Sequence, residues 1–321
     1  MGAVFEGKSK EMNTPLTILF WIVVVPGTIV LGLVASWIVR KVSALVQWRV
    51  GPPLFQPFYD VMKLMGKEIL IPQDAQRIVF LMAPLVGLAG VLLLSVMLWW
   101  VTVAQSALVG DIIVAIYLMV LPSLALILGS SASASPHATI GTSREMKLVM
   151  GYELPLVLAF IVVIIKTGGQ LNLAAIAEYT PALSISGMLA FLAALLCIQA
   201  KLGFVPFDIA ESETEVASGI IIEYSGALLA VWKVMQAMML VALPLFLVMV
   251  FLGGFGTAGW PLIWGIGKYV LILVLLILIK NTNPRLRIDQ AMKFFWVYCG
   301  ITLAVAVVLA SIGNYYGINW L

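Results

Sequence analysis

Five carboxylates, Asp208, Glu211, Glu213, Glu215 and Glu223, fall within the stretch PFDIAESETEVASGIIIEY, residues 206–224, with no Lys or Arg among them. The chain has only 15 acidic residues, so a third of them lie there. Like charges held close raise one another's pKa and burial does the same, so such a cluster can exchange protons near neutrality. If residues 211–223 are helical, Glu211, Glu215, Gly219 and Glu223 share one face as a stripe about 18 Å long, and Glu213 points away from it. Two readings fit: a proton path leading into a membrane, or a solvated acidic loop that docks on a basic partner. Continuation of the stripe to Glu223, inside an apolar run, favours the path. Glu153 and Lys233 also sit in apolar runs, where ionisable groups pair or line water-filled routes.

The elements that must position these groups are apolar. Of 321 residues, 63% are hydrophobic and 10% charged, which excludes an ordinary soluble domain and gives an all-α polytopic membrane protein. Runs long enough to cross a bilayer recur about eight times, near 16–39, 78–103, 111–131, 147–166, 185–204, 218–252, 262–280 and 293–313. They form a single membrane domain over 1–321, with an acidic loop at about 201–217. Glu6, Lys8, Lys10 and Glu11 precede the first run, which lacks a small-residue cleavage site and is expected to remain as a span. Within 54–68, Leu54, Phe58, Val61, Met62 and Met65 recur at helical spacing, predicting an amphipathic surface helix too short to span. Cys197, Cys299 and the single His137 supply no metal-ligand set, so no cofactor is expected on this chain, and no basic tract or motif points to nucleic acid.

Basic residues orient the spans. Thirteen lie in the odd-numbered loops or at their edges, from Arg40 to Lys293, against Lys8, Lys10, Lys166 and Lys268 on the other side. Positive residues stay on the cytoplasmic side, so both termini are expected outside a cell membrane and the acidic loop in the cytoplasm.

The segment VPFDIAESETEVASGIIIEYSG resembles the corresponding segment of the NuoH family, the membrane component of respiratory complex I that adjoins the peripheral redox arm. Three more segments carry the resemblance: RKVSALVQWRVGPPLFQPFYDVMKLMGKE at 40–68, GYELP at 151–155 with Glu153, and NPRLRIDQAMKFFW at 283–296. Quinone-using members have an acid where Lys201 stands, an Arg where Phe204 stands, an Asn in place of Pro53, and tend to carry a further acid near Gln236. These departures fit the related membrane-bound nickel-iron hydrogenases and their sulfur-reducing relatives better than a quinone reductase.

The resemblance implies a membrane anchor and coupling subunit of a ferredoxin-dependent hydrogenase, linking electron transfer in a docked arm to proton or ion translocation. Glu153, Asp208, Glu211, Glu213, Glu215, Glu223 and Lys233 would form the relay, and Gln47, Arg49, Lys201, Arg285, Arg287 and Asp289 would dock the arm. The implied partners are hydrogenase-like large and small subunits with iron-sulfur proteins, antiporter-like membrane subunits, membrane lipid, and ferredoxin through the complex. The nickel-iron centre and iron-sulfur clusters would lie on those partners. Alternatives are the equivalent subunit of a sulfur-reducing or quinone-reducing enzyme, a stand-alone secondary ion transporter, and a structural anchor.

Overall fold

The computed structural model describes residues 14–104, 106, 112–212, 219–256, 259–318 and 320–321, with side chains from residue 23 onward. Long apolar runs fold as helices because in lipid every backbone amide and carbonyl must be satisfied within its own segment. The helices are α1 Thr14–Val46, α2 Gln56–Met65, α3 Arg77–Ala104, α4 Ile112–Ser131, α5 Pro136–Lys166, α6 Leu173–Ile176, α7 Ile185–Lys201, α8 Gly226–Phe251, α9 Trp260–Thr282 and α10 Ile288–Tyr316. Seven of them are long and apolar enough to cross a bilayer, and the bent pair of Leu173–Leu183 with α7 brings the number to eight when counted as one span.

α8 occupies the centre, with α1, α3, α7 and α9 packed around it, and α4, α5 and α10 complete the bundle. Lipid gives helices no hydrophobic reason to associate, so close approach of backbones matters most. A Cβ at Gly32 of α1 would lie 2.7 Å from the Ala237 carbonyl of α8, and one at Gly90 of α3 would lie 2.7 Å from Leu121 Cβ of α4. Replacing either glycine would push two helices apart.

α10 is capped by Arg287, whose amide donates to Gln290 Oε1 at 3.2 Å, and contains a π-helical turn over Phe294–Cys299. Its inward residues are Ala291, Phe295, Cys299, Leu303, Ala306 and Ala310.

Several boundaries differ from the sequence expectation: α1 runs on to Val46, past 39, and α10 starts at Ile288, ahead of 293. α5 begins at Pro136, eleven residues before 147, because Ser135 and Pro136 form a helix start ahead of the apolar run. The central span begins at Gly226, not 218, because residues 219–225 turn across the bundle end. The amphipathic helix is present as α2, with Met62 and Met65 of its apolar face exposed and Pro57 buried.

Candidate functional site

One end of the bundle gathers four chain segments. Gln47 Nε2 donates to Asn281 Oδ1 at 3.2 Å, the Leu70 amide donates to Ser225 Oγ at 2.9 Å, and the Leu286 amide donates to the Pro206 carbonyl at 3.1 Å. Gly226 adopts φ +55°, and a Cβ there would meet the Glu68 carbonyl at 2.5 Å, so only glycine lets α8 start beneath the first loop.

The acidic loop is pinned onto this end. Phe207 is buried against Phe295 and Phe294 of α10 with ring centroids 4.7 and 5.8 Å away. Next to it, Asp208 accepts from Arg285 at 2.9 Å, and Arg144 Nη1 donates to the Ile209 carbonyl at 3.4 Å. Gly219, at φ +42°, presses against Ala210, whose carbonyl would stand 2.2 Å from a Cβ. Glu211 and Ser212 are non-helical and Gly219–Ile221 forms a 3₁₀ turn, so the described residues do not meet the condition, one helix over 211–223, on which the stripe rested. Glu211 precedes the pinned contact in non-helical backbone, and Glu223 follows a 3₁₀ turn over Gly219–Ile221. Glu213 and Glu215 lie outside the described residues. Glu223 also lies outside any span, two residues before Ser225 and its bond to Leu70, so its expected position deep in lipid is corrected to the bundle end.

Glu211 instead turns inward by itself. Gln236 Nε2 of α8 donates to its carboxylate at 3.0 Å, and Lys233 Nζ, one turn earlier, donates to Gln236 Oε1 at 3.3 Å. Burial raises the Glu211 carboxyl above its ordinary pKa, against the pull of Lys233 and the Gln236 hydrogen bond, while Asp208 adds to the rise. On one side, Glu211 lines a cavity of about 300 Å³ shared with Arg40, Asp60, Phe204, Lys233 and Lys280. On the other it lines a smaller cavity of about 30 Å³ with Glu145, Lys201, Asp208 and Gln236. That space suffices for about two waters, and Asp208 Oδ1, which is buried, makes no hydrogen bond among the described residues.

Beyond the small cavity lies a buried ion pair. Lys201 Nζ reaches Glu153 Oε1 at 2.5 Å and the Met119 carbonyl at 3.1 Å, and stands 5.3 Å from the centre of the Tyr152 ring. The Lys201 side chain is 0% exposed. Its expected role in docking a partner is therefore corrected, because the last turn of α7 aims the ammonium into the bundle. Glu145, which sequence reading missed, is buried on α5 and joins this group through the small cavity. Its neighbours Arg144 and Lys147 made the segment read as a polar loop; the Ser135–Pro136 helix start was the signal that would have put it on α5.

The remaining docking candidates sit on the surface of the same end. Arg49, Arg287 and Asp289 are exposed, Gln47 is tied to Asn281, and Arg285 is engaged with Asp208. Near Arg49, Trp48 is 98% exposed at φ +56°, with Val50 also exposed. Arg40 reaches across from α1 to Asp60 of α2 at 2.7 Å. Burial alone would raise the Asp60 carboxyl, but the bonds from Arg40 and Gln56 and the charges of Arg40 and Lys63 bring it below its ordinary value. Among the described residues, no three His, Cys, Asp or Glu side chains cluster as metal ligands.

These features define a multi-pass membrane protein that carries ionisable groups from one end of its bundle to a buried ion pair. The NADH dehydrogenase family model matches residues 18–311, and the chain belongs to that family. It is 31% identical over 307 residues to the H subunit of NADH-quinone oxidoreductase from Dehalococcoides mccartyi, covering 91% of this chain and 86% of that protein. It is 34% identical over 310 residues to the equivalent protein of Syntrophotalea carbinolica, covering 89% and 93%. Among solved structures it is similar to a chain of the membrane-bound sulfane sulfur reductase, an archaeal respiratory membrane complex, with TM-score 0.84, 26% identity, and coverage of 92% of this chain and 99% of that one. The protein is thus a membrane subunit of a complex I-like enzyme.

Proposed function

We propose that this chain is the coupling subunit of a redox-driven ion pump, a ferredoxin-dependent membrane-bound hydrogenase, in which it anchors a hydrogenase-like arm. The observation that carries the reading is the series of polar groups in which Lys233, Gln236 and Glu211 are hydrogen-bonded in turn and a small cavity, which Glu145 and Lys201 also line, separates them from the Lys201–Glu153 pair. Ionisable groups cost free energy within lipid, and a purely structural anchor has no need of six polar groups in a row. Glu211 takes a proton from the larger cavity, and Glu145 and Glu153 hold it deeper. The acid-bearing end faces the cytoplasm, where Trp48, Arg49 and Arg287 meet the arm.

The larger cavity is lined by Arg40, Asp60, Lys233 and Lys280, and Lys280 Nζ sits 4.5 Å from the Phe204 ring centre. Leu33, Val39, Val61, Leu64, Leu202 and Leu240 share that lining, so the charged groups give water and protons one wall of a cavity whose other wall is apolar. A second reading, the equivalent subunit of a sulfur-reducing assembly, is favoured by the likeness to the sulfane sulfur reductase chain.

Two measurements test this. Glu145→Gln, Glu211→Gln and Glu153→Gln keep the shape of each side chain but cannot ionise. Each should leave the complex assembled and its redox centres intact while ion pumping per electron falls sharply. If all three pump like wild type, the polar sequence is not a relay. Metal analysis of the assembly purified through this chain should find nickel with iron; iron without nickel would turn the assignment to the sulfur-reducing reading.

A further inference from the structure

The opposite end of the bundle has a built cavity that the coupling role does not use. It measures about 440 Å³ and lies between the end of α5 (Lys166), the segment Tyr179–Ser184, and the end of α10 (Gly313–Ile318). Among the described residues Lys166 is its only charged lining residue, and this ammonium has no hydrogen-bond or ion-pair partner among them. The other basic residue of this end among the described residues, Lys268, is bound to the Leu252 carbonyl at 2.5 Å. Glu178 is nearby in sequence but does not line the cavity.

Tyr179, Thr180 and Asn314, each with a polar side chain, share the lining with Lys166. The first amides of α7 offer no free donors, because Ile185 and Ser186 donate to the carbonyls of Trp320 and Leu321, and Gly187 donates to Ser184 Oγ. An anion here must therefore be held by Lys166 and side-chain donors. Around the cavity, Tyr179, Tyr315, Tyr316 and Trp320 are exposed, as aromatic rings are at the head-group level of a bilayer. Below it run two exposed apolar rows on helices that pack together: Leu183, Ile185, Met188 and Leu192 leading into and along α7, and Val305, Val308 and Ile312 along α10. A charged pocket at head-group depth, continuous with apolar rows toward the bilayer centre, has the two chemistries of one kind of molecule.

We propose that this cavity holds the phosphodiester head group of a membrane glycerophospholipid, with Lys166 on the phosphate and the acyl chains along α7 and α10. A lone lysine on a phosphate acts as a point charge through a charge-assisted hydrogen bond. The site is independent of the coupling reading and stands whether or not the polar sequence carries protons.

The test uses the assembled complex purified from membranes and exchanged into lipid-free detergent, with lipid retained per chain read by native mass spectrometry. Wild type and Lys166→Arg should keep one phospholipid, Lys166→Gln should lower its occupancy about tenfold, and Lys147→Gln, an exposed lysine of the other end, should change nothing. Delipidated wild type is then given inorganic phosphate or a short-chain phosphatidylglycerol, and thermal stabilisation should follow the lipid alone. The proposal is overturned if wild type retains no lipid, if Lys166→Gln retains as much as wild type, if Lys147→Gln loses as much as Lys166→Gln, or if inorganic phosphate stabilises as well as the lipid.

Discussion

Two ion pairs in this molecule have nearly equal lengths and opposite meanings. Lys201 and Glu153 approach to 2.5 Å with side chains 0% and 19% exposed, while Arg40 and Asp60 approach to 2.7 Å with side chains 45% and 40% exposed. Distance does not rank them; surroundings do. Water screens the outer pair and solvates either partner when the other is lost. Inside the bundle each charge has few other places to turn, so the inner pair is held together by the cost of separating it.

The largest expected effect follows from breaking the inner pair from one side. Lys201→Met leaves Glu153 as an uncompensated buried carboxylate, and thermal stability of the purified complex should fall by about 3–5 kcal/mol. Adding Glu153→Leu should restore most of that loss, since two apolar side chains can fill the site. If the single variant melts with wild type, the contrast between the pairs is wrong.

Glu211 sharpens the comparison because it is half-buried and, among the described residues, held by an amide and not by an ion-pair partner. Its proton is bound more tightly in the folded protein than in the unfolded chain, so its contribution is fully present at low pH and declines as pH rises from the ordinary carboxyl range to the raised value. Glu211→Gln, unable to ionise, lacks that decline. The melting temperature of the variant relative to wild type should climb across that window, and a gap independent of pH would contradict the burial assigned to Glu211.

Arg285 and Asp208 stand between the extremes, with side chains 42% and 13% exposed. With solvent screening on the arginine side, Arg285→Ala should cost about 1 kcal/mol. Limited proteolysis should detect loosening of the loop from 202 to 212 before any change in the spans. At the small end, Arg40→Ala should cost about 0–1 kcal/mol, and added salt should erase the difference from wild type. A loss as large as that of Lys201→Met would remove the distinction between rim and interior.

The spans were legible in the sequence because each is a long apolar run, and α3, α4, α7 and α9 end within three residues of where the runs do. The misses have two physical sources. Residues 219–225 are apolar enough to read as membrane helix, but the positive φ of Gly219 and the Ser225 bond to Leu70 turn them across the bundle end. Glu145 hid between two basic residues, where local composition says loop and the helix start at Pro136 says otherwise. Glu153 and Lys233 were legible as candidates because charge in lipid is conspicuous. That Lys201 would pair with Glu153, 48 positions away, depends on how α7 leans on α5, which no local pattern encodes.

The π-helical turn of α10 has a consequence for how this helix tolerates change. Its inward residues Ala291, Phe295, Cys299 and Leu303 recur every four positions. A regular α-helix would carry such a row about 40° around its axis at each step, or about 120° by the third. The wide turn takes up that drift, as a leap day keeps a calendar aligned with the seasons, so that Phe295 and Leu303 both remain in the bundle. Loss of one residue within Phe294–Cys299 would return the segment to ordinary α winding while leaving what comes before it, including the Arg285 and Arg287 corner, in phase with α5. Elsewhere in the bundle a single deletion turns everything beyond it by about 100°; here the wide turn has one residue to spare.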